Sequence, residues 1–229
     1  MSLRRLPQKT FSAEAGDAAV LHVDTAKVCW HAGSRYVVSK GRLKRLERVF
    51  PSRLVQPLRP WLKAREPFVI PARDFRKPRP IEDEQRVRLA ADFVAKRGAP
   101  RETLWFAMLS DALAHEGLAR HKGIEMRSEA EILEFLEGYV GGIVHSLETE
   151  GFSRDVATYE SSALVDAEGR VLKSSSGNHR FAIARALGLT RFPLRIVGVH
   201  EHWLAGLEPA PRDLPRLIAA LREVERAHA

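Results

Sequence analysis

The spacing of apolar residues changes character along the chain, and each change predicts an element. Residues 1–19 are polar and rich in Ala, Ser and Gly without any period, which reads as a flexible leader. Partial alternation in VLHVDTAKVCW (20–30), with Val20, Val23, Val28 and Trp30, predicts one or two short strands. Leu43, Leu46 and Phe50 then recur at helical spacing behind Ser39, a candidate N-cap. The other face of that helix carries Lys40, Arg42, Lys44, Arg45 and Arg48. Six prolines between 51 and 80 precede a seventh, Pro80, and break up long regular elements. The stretch is expected to wrap over a core, with FVIPARDF supplying one short strand.

From Ile81 the pattern is helical. Val87, Ala90, Ala91 and Val94 form a stripe closed by Gly98 and Pro100. A second helix is expected from about Glu102 to His115, ended by Gly117. A third opens on Ser128-Glu-Ala-Glu131, a capping-box spacing, and runs through Ile132, Leu136, Val140 and Leu147. Gly138, Gly141 and Gly142 inside it each cost about 1 kcal/mol in a helix interior, which predicts close packing or a kink. After Gly151 the texture turns to two strands around an Asp166–Gly169 turn, a helix over NHRFAIARAL capped by Gly188, a strand FPLRIVGVH and an amphipathic terminal helix. The fold class read from this order is α+β. A basic, Pro-rich segment at 20–81 is expected to pack on a core built from 82–229.

Composition narrows the classes. The 229 residues are 45% hydrophobic and 29% charged, which excludes collagen-like, low-complexity and fully disordered chains. No run approaches the roughly 18 apolar residues of a membrane span, and the N-terminus lacks a continuous apolar h-region. Cys29 is the only cysteine, so an intrachain disulfide and a multi-Cys zinc site are excluded and a cytoplasmic protein is expected. The net charge of +8 is uneven: residues 35–101 carry 19 basic and 7 acidic side chains, whereas 102–229 carry 14 and 19. Such asymmetry suggests an anionic partner for the basic part, whether nucleic acid, anionic lipid at the inner face of a membrane or a phosphorylated substrate. A solvated face in an arginine-rich chain, with 28 Arg to 9 Lys, produces the same count.

The richest chemistry lies in SSSGNHRFAIARALG. Small residues and a glycine lead into a helix opening on Asn178, His179 and Arg180, where free backbone N–H groups and the helix dipole favour an anion. Arg180 can bind phosphate oxygens in bidentate fashion, and a histidine titrates near neutral pH. Ordinary N-caps use the same small residues. Lys173 is on the strand leading into this box. His200 and His202 share one face of a strand end beside Trp203, suiting a pocket wall; with Glu201 they lack a third metal ligand in pattern, so no metal site is assigned.

GNHRFAIARALGLTRFPLRIV resembles the signature of the ParB/sulfiredoxin superfamily: a strand, a Gly-x-His/Arg-Arg box, a helix ending in Leu-Gly and a strand opening with Pro. IVHSLETEGF is similar to that family's upstream helix, so the likeness covers about 143–203. More loosely, about 67–203 resembles uncharacterised ParB-like proteins that end in a His-x-x-Trp element, here His200 to Trp203. The resemblance implies a compact α/β nucleotide-binding core that takes ATP or CTP with Mg2+, with Ser176, Gly177, Asn178, His179, Arg180 and Lys173 about the phosphates. Some members transfer or release the γ-phosphate. Ser176 stands where many relatives carry Asp, and Asn178 where sulfiredoxins carry their Cys, so sulfiredoxin activity is not expected. With only one good helix after Gly188 in addition to a strand, the DNA-reading helices of partitioning proteins are not expected either.

The functional expectation is a nucleotide-dependent kinase or nucleotide hydrolase acting on a small hydroxyl compound, a sugar or a lipid-linked glycan. His179 would assist transfer and Glu160 would orient the acceptor or the metal, while His200, His202 and Trp203 would line the acceptor pocket. The alternative is a non-enzymatic ParB-like module that contacts nucleic acid or another partner through residues 35–101.

Overall fold

A computed structural model describes residues 3, 6–152, 161–211 and 213–229. In chain order the elements are α1 (Gln8–Ala15), β1 (Val20–Val23), β2 (Trp30–Gly33), α2 (Val37–Leu46), α3 (Ser52–Val55), α4 (Arg59–Ala64), β3 (Val69–Ile70) and β4 (Arg79–Pro80). Then come α5 (Gln85–Ala95), α6 (Leu104–Glu116), β5 (Ala119–His121), β6 (Ile124–Met126), α7 (Glu129–Glu134) and α8 (Gly141–Thr149). The chain continues through β7 (Ser162–Val165), β8 (Val171–Ser174), α9 (Asn178–Ala186), β9 (Phe192–His200), α10 (Glu201–Gly206) and α11 (Leu214–His228). The architecture is mixed α and β, as the alternating periods predict. Among the described residues no helix is long and apolar enough to cross a membrane.

The elements divide into two compact units. The first comprises Met1–Ile81, Tyr159–Gly177 and Thr190–Ala229; the second comprises Glu82–Thr158 and Asn178–Leu189. The expected boundary near residue 81 is present, but 159–177 and 190–229 belong with the N-terminal segment and not with the helical region. Strand pairing is the reason. The first unit's sheet runs β1-β9-β7-β8-β2-β4, with β3 also on β9. The segment expected to cover a core therefore contributes four of its strands. Local periodicity detects strands but not partners more than a hundred residues away.

β9 is the spine of this sheet. It pairs antiparallel with β1 and parallel with both β7 and β3. Eight of its nine residues are buried, the near-continuous apolar run of a strand covered on both faces. β7 and β8 form the expected hairpin, whose turn is held by Asp166: its Oδ1 accepts from the Glu168 and Arg170 backbone N–H groups. α11 packs on β1 through Leu217, Leu221 and Val224.

The expected flexible leader is instead packed in its described part. Phe11 is fully buried and stacks on Phe68, a burial worth roughly 1.5–3 kcal/mol. Gln8 donates from its amide to the Arg35 and Val197 carbonyls. One buried aromatic on a two-turn helix suffices here, and it is too short a pattern to show a period.

α2 begins two residues before the expected cap. Ser39 lies in its first turn, and the capping carboxylate comes from Glu66, which accepts from the Val38 and Ser39 backbone N–H groups at 2.8 Å each. Burial raises the Glu66 carboxyl above its usual range, against the pull of these hydrogen bonds. Leu43 is buried with Val55 and Leu62, but Phe50 lies beyond the helix and stands half-exposed.

In the second unit α5 and α6 pack together and α9 packs on α5. The start signals act as predicted: Thr103 Oγ1 accepts from the Phe106 N–H, and Ser128 Oγ from the Glu131 N–H. Between α7 and α8 the helix widens into a π-helical stretch over Phe135–Val140. This is the irregularity that the glycines foreshadow. Space for a Cβ is open at Gly138 and Gly142, so close packing is not their reason. β5 and β6, a small hairpin turning through Lys122 and Gly123 at positive φ, were absent from the expected order.

Candidate functional site

The serine-rich segment leaves β8 as a tight turn built on its own backbone. Lys173 is buried, and its Nζ donates to the carbonyls of Ser174 and Ser176 at 2.5 Å and of Ser162 at 3.4 Å. An ammonium held by carbonyl dipoles stiffens the turn from beneath. Ser162 and Ser174 share a buried hydroxyl hydrogen bond of 2.7 Å. Gly177 closes the turn at φ +66°, and its carbonyl accepts from Ser161 Oγ at 3.1 Å. A Cβ at Gly177 would stand 2.7 Å from Ser161 Cα, so only glycine fits.

Beside this turn, wholly within the first unit, is a cavity of about 430 Å³. Ser175 forms part of its wall, with Gly33, Ser34 and Tyr36 from the segment after β2. α2 contributes Lys40 and Lys44, while Arg59 and Lys63 come from α4. The size falls in the roughly 300–1,000 Å³ range of small-molecule sites. Glu47 also lines it and accepts from Gln56 Nε2 at 3.0 Å. The Tyr36 ring carries Arg35 at 4.7 Å and Lys63 at 4.9 Å from its centroid.

The electrostatics follow from this crowding. Partial burial pushes the Lys40 ammonium below its ordinary value, and Arg76, Lys44, Arg59 and Arg79 push in the same direction. Like charges so gathered repel each other, and an anion in their midst relieves the repulsion. A second, smaller depression of about 220 Å³ lies along the same helix, with Lys44, Arg45, Arg48, Arg73 and Arg76 in its wall. Asp74 there meets Arg45 at 3.4 Å and Arg73 at 3.7 Å.

The residues singled out from sequence do not all meet at this cavity. Ser176 and Gly177 belong to the turn itself; the Ser176 carbonyl is turned to Lys173. Lys173 is neither solvated nor in the cavity wall, because its ammonium is committed to the backbone beneath. Asn178 and Arg180, both half-buried, open α9 in the second unit. His179 is buried there, its ring stacked on Trp105 with centroids 5.8 Å apart and its Nε2 2.9 Å from Nε2 of His121. Burial, then Lys122 and His121, lower its pKa to about 3, and burial lowers that of His121 to about 4. A ring so placed stays neutral at pH 7, contrary to the titration near neutrality expected of it. Glu160 lies outside the described residues.

His200, His202 and Trp203 do not line the cavity. His200 is buried and caps α10, its Nδ1 accepting from the His202 N–H at 3.0 Å. Burial and the neighbouring His202 lower its pKa. Trp203 is buried, with its indole beside Gly169.

No family model matches the chain, and neither a curated protein nor a solved structure matches it. Function is therefore argued from the site. Four cations, a tyrosine and serine hydroxyls around one cavity suit a ligand with several negative charges and a polar body. The individual cations Lys40, Lys44, Arg59 and Lys63 were not singled out from sequence as a phosphate site. Their signal was the basic face of α2 together with the positive balance of residues 35–101.

Proposed function

We propose that the chain binds a nucleoside triphosphate, ATP or CTP with magnesium, and acts as a nucleotide-dependent phosphotransferase or hydrolase with the phosphates in the basic cavity. The observation that carries this reading is the convergence of Lys40, Lys44, Arg59 and Lys63 beside Ser175 of the serine-glycine turn. A triphosphate brings about as many charges as the cavity has cations, and charge neutralisation is the largest part of phosphoryl-transfer catalysis. The resemblance of the turn and α9 to the ParB/sulfiredoxin signature supplies the reaction class. Transfer breaks the bond between the γ-phosphorus and its bridging oxygen and forms one to a hydroxyl of a small compound, sugar or lipid-linked glycan, or to water. Magnesium would screen the phosphates, and Glu47 is the carboxylate in the cavity wall suited to it.

The test is a melting series on the full chain with ATP, CTP and inorganic triphosphate, with and without magnesium. A triphosphate at about 100 times its Kd stabilises by about 2.7 kcal/mol, which raises Tm by roughly 5–10 °C. The double variant K40A/R59A should weaken binding at least ~10-fold, since each charge-assisted contact is worth ~1.5–3 kcal/mol. Absence of a shift with any triphosphate, or an unchanged Kd in that variant, overturns the proposal. Release or transfer of a labelled γ-phosphate then separates turnover from binding alone.

A further inference from the structure

Among the described residues, the large apolar side chains left exposed are concentrated in one short stretch. Val49, Phe50, Leu54, Leu58 and Trp61 are 76, 50, 60, 44 and 54% exposed, and only Leu104 and Ile124 elsewhere are comparable. Residues 52–64 are three consecutive helical pieces, α3, a 3-10 turn and α4. Leu54, Leu58 and Trp61 recur on it at i, i+4 and i+7, so they share one face. Val55 and Leu62 form a different face, buried against Leu43. The stretch thus has one apolar face satisfied by the fold and a second facing water.

The charge around the second face decides its occupant. Residues 40–65 hold nine Lys and Arg and a single acid, Glu47. An apolar centre in a basic surround does not suit a second copy of the same surface, whose cations would repel. It does not suit nucleic acid either, because leucine and valine offer nothing to phosphates or base stacks. An anionic bilayer satisfies both parts: acyl chains receive Phe50, Leu54, Leu58 and Trp61, and headgroup phosphates receive the arginines. Arg65 lies over the Trp61 ring, 4.0 Å from its centroid, placing a cation beside an indole as at a headgroup boundary.

We propose that Phe50, Leu54, Leu58 and Trp61, with flanking arginines such as Arg48 and Arg53, form a docking surface by which this protein sits on an anionic membrane. None of the apolar residues lines the basic cavity, so the proposal stands apart from nucleotide binding. On a membrane, that cavity would work close to lipid-borne acceptors.

The test is flotation of the full chain with vesicles of phosphatidylcholine alone or mixed with phosphatidylglycerol, at about 0.15 M salt. Wild type should float with the anionic vesicles and stay behind with neutral ones. The exposed-face variant L54S/L58S/W61S should lose about tenfold or more in vesicle affinity while keeping its melting temperature and its triphosphate binding. A second variant, R48E/R53E, should lose binding to anionic vesicles more steeply at low salt than at high. The proposal is overturned if wild type ignores anionic vesicles or if both variants float as wild type does. It is equally overturned if the exposed face instead mediates a dimer, or binding to an RNA or DNA oligonucleotide, that the triple variant abolishes.

Discussion

Replacing Gly177 by alanine tests how the turn beside the cavity is held. The new methyl meets two costs. At φ +66° a residue with a Cβ loses about 1–2 kcal/mol relative to glycine. The methyl would also stand 2.7 Å from Ser161 Cα, a backbone atom that cannot rotate away, which adds about 1–3 kcal/mol of overpacking. The total is roughly 2–5 kcal/mol, or a fall in Tm of roughly 4–20 °C for a chain of this size. Gly33 is the control: it has φ +78° and nothing within 4 Å of a Cβ, so G33A meets only the conformational cost. The stronger check is the double variant S161G/G177A, which removes the Ser161 side chain from the clash and should recover about 1 kcal/mol of the loss. Chemical denaturation of the four proteins measures the coupling. If G177A is no worse than G33A, or if the Ser161 change does not couple to it, the packing argument for this turn is wrong.

Three further outcomes are expected. His121 and His179 are neutral in the fold, with pKa values lowered to about 4 and about 3, so below pH 6.5 the unfolded chain takes up protons that the folded one refuses. Stability present above pH 6.5 should therefore drain as pH falls toward 4, by up to ~1.4 kcal/mol per pH unit for the buried His179 alone; H121F/H179F should flatten that slope, and an equal slope in the variant would refute the assignment. E66Q presents an amide N–H to one of the two backbone N–H groups at the start of α2, and the lost cap should cost about 1–3 kcal/mol in urea unfolding. Lys40, its ammonium pushed below the ordinary value, should be acylated faster than Lys44 or Lys63 at mildly alkaline pH, and triphosphate should protect it; peptide mapping showing equal reactivity would remove the electrostatic argument for the cavity.

Elements carried by local chemistry were legible in the sequence. The Ser128–Glu131 cap, the Asp166–Gly169 turn, the end of α6 at Gly117 and the run of β9 all follow from side chains acting within a few residues of themselves. What escaped depends on distant partners. Glu66 caps α2 across 27 residues in place of Ser39, and Phe11 finds Phe68. Lys173 shows the limit most sharply: in sequence it is a polar residue in a strand, and only the folded carbonyls of Ser174 and Ser176 make it a buried brace. The site was legible in outline, as a basic segment and a serine-glycine turn. The grouping of Tyr36, Lys40 and Arg59 with Ser175 needed the pairing of β2 with β8, which no local pattern encodes.

That same pairing has a bearing on how the protein is made. β1 must wait for β9, its sheet neighbour, to leave the ribosome about 170 residues later, a delay of roughly 10–30 s at ordinary translation speeds. Throughout that interval the nascent chain carries Val20, Leu21 and Val23 without their partner strand, and a chaperone that shields bare strand edges would find its client there. Stalled chains released before residue 190 should be cut by protease within 20–33, and chains past residue 200 should resist.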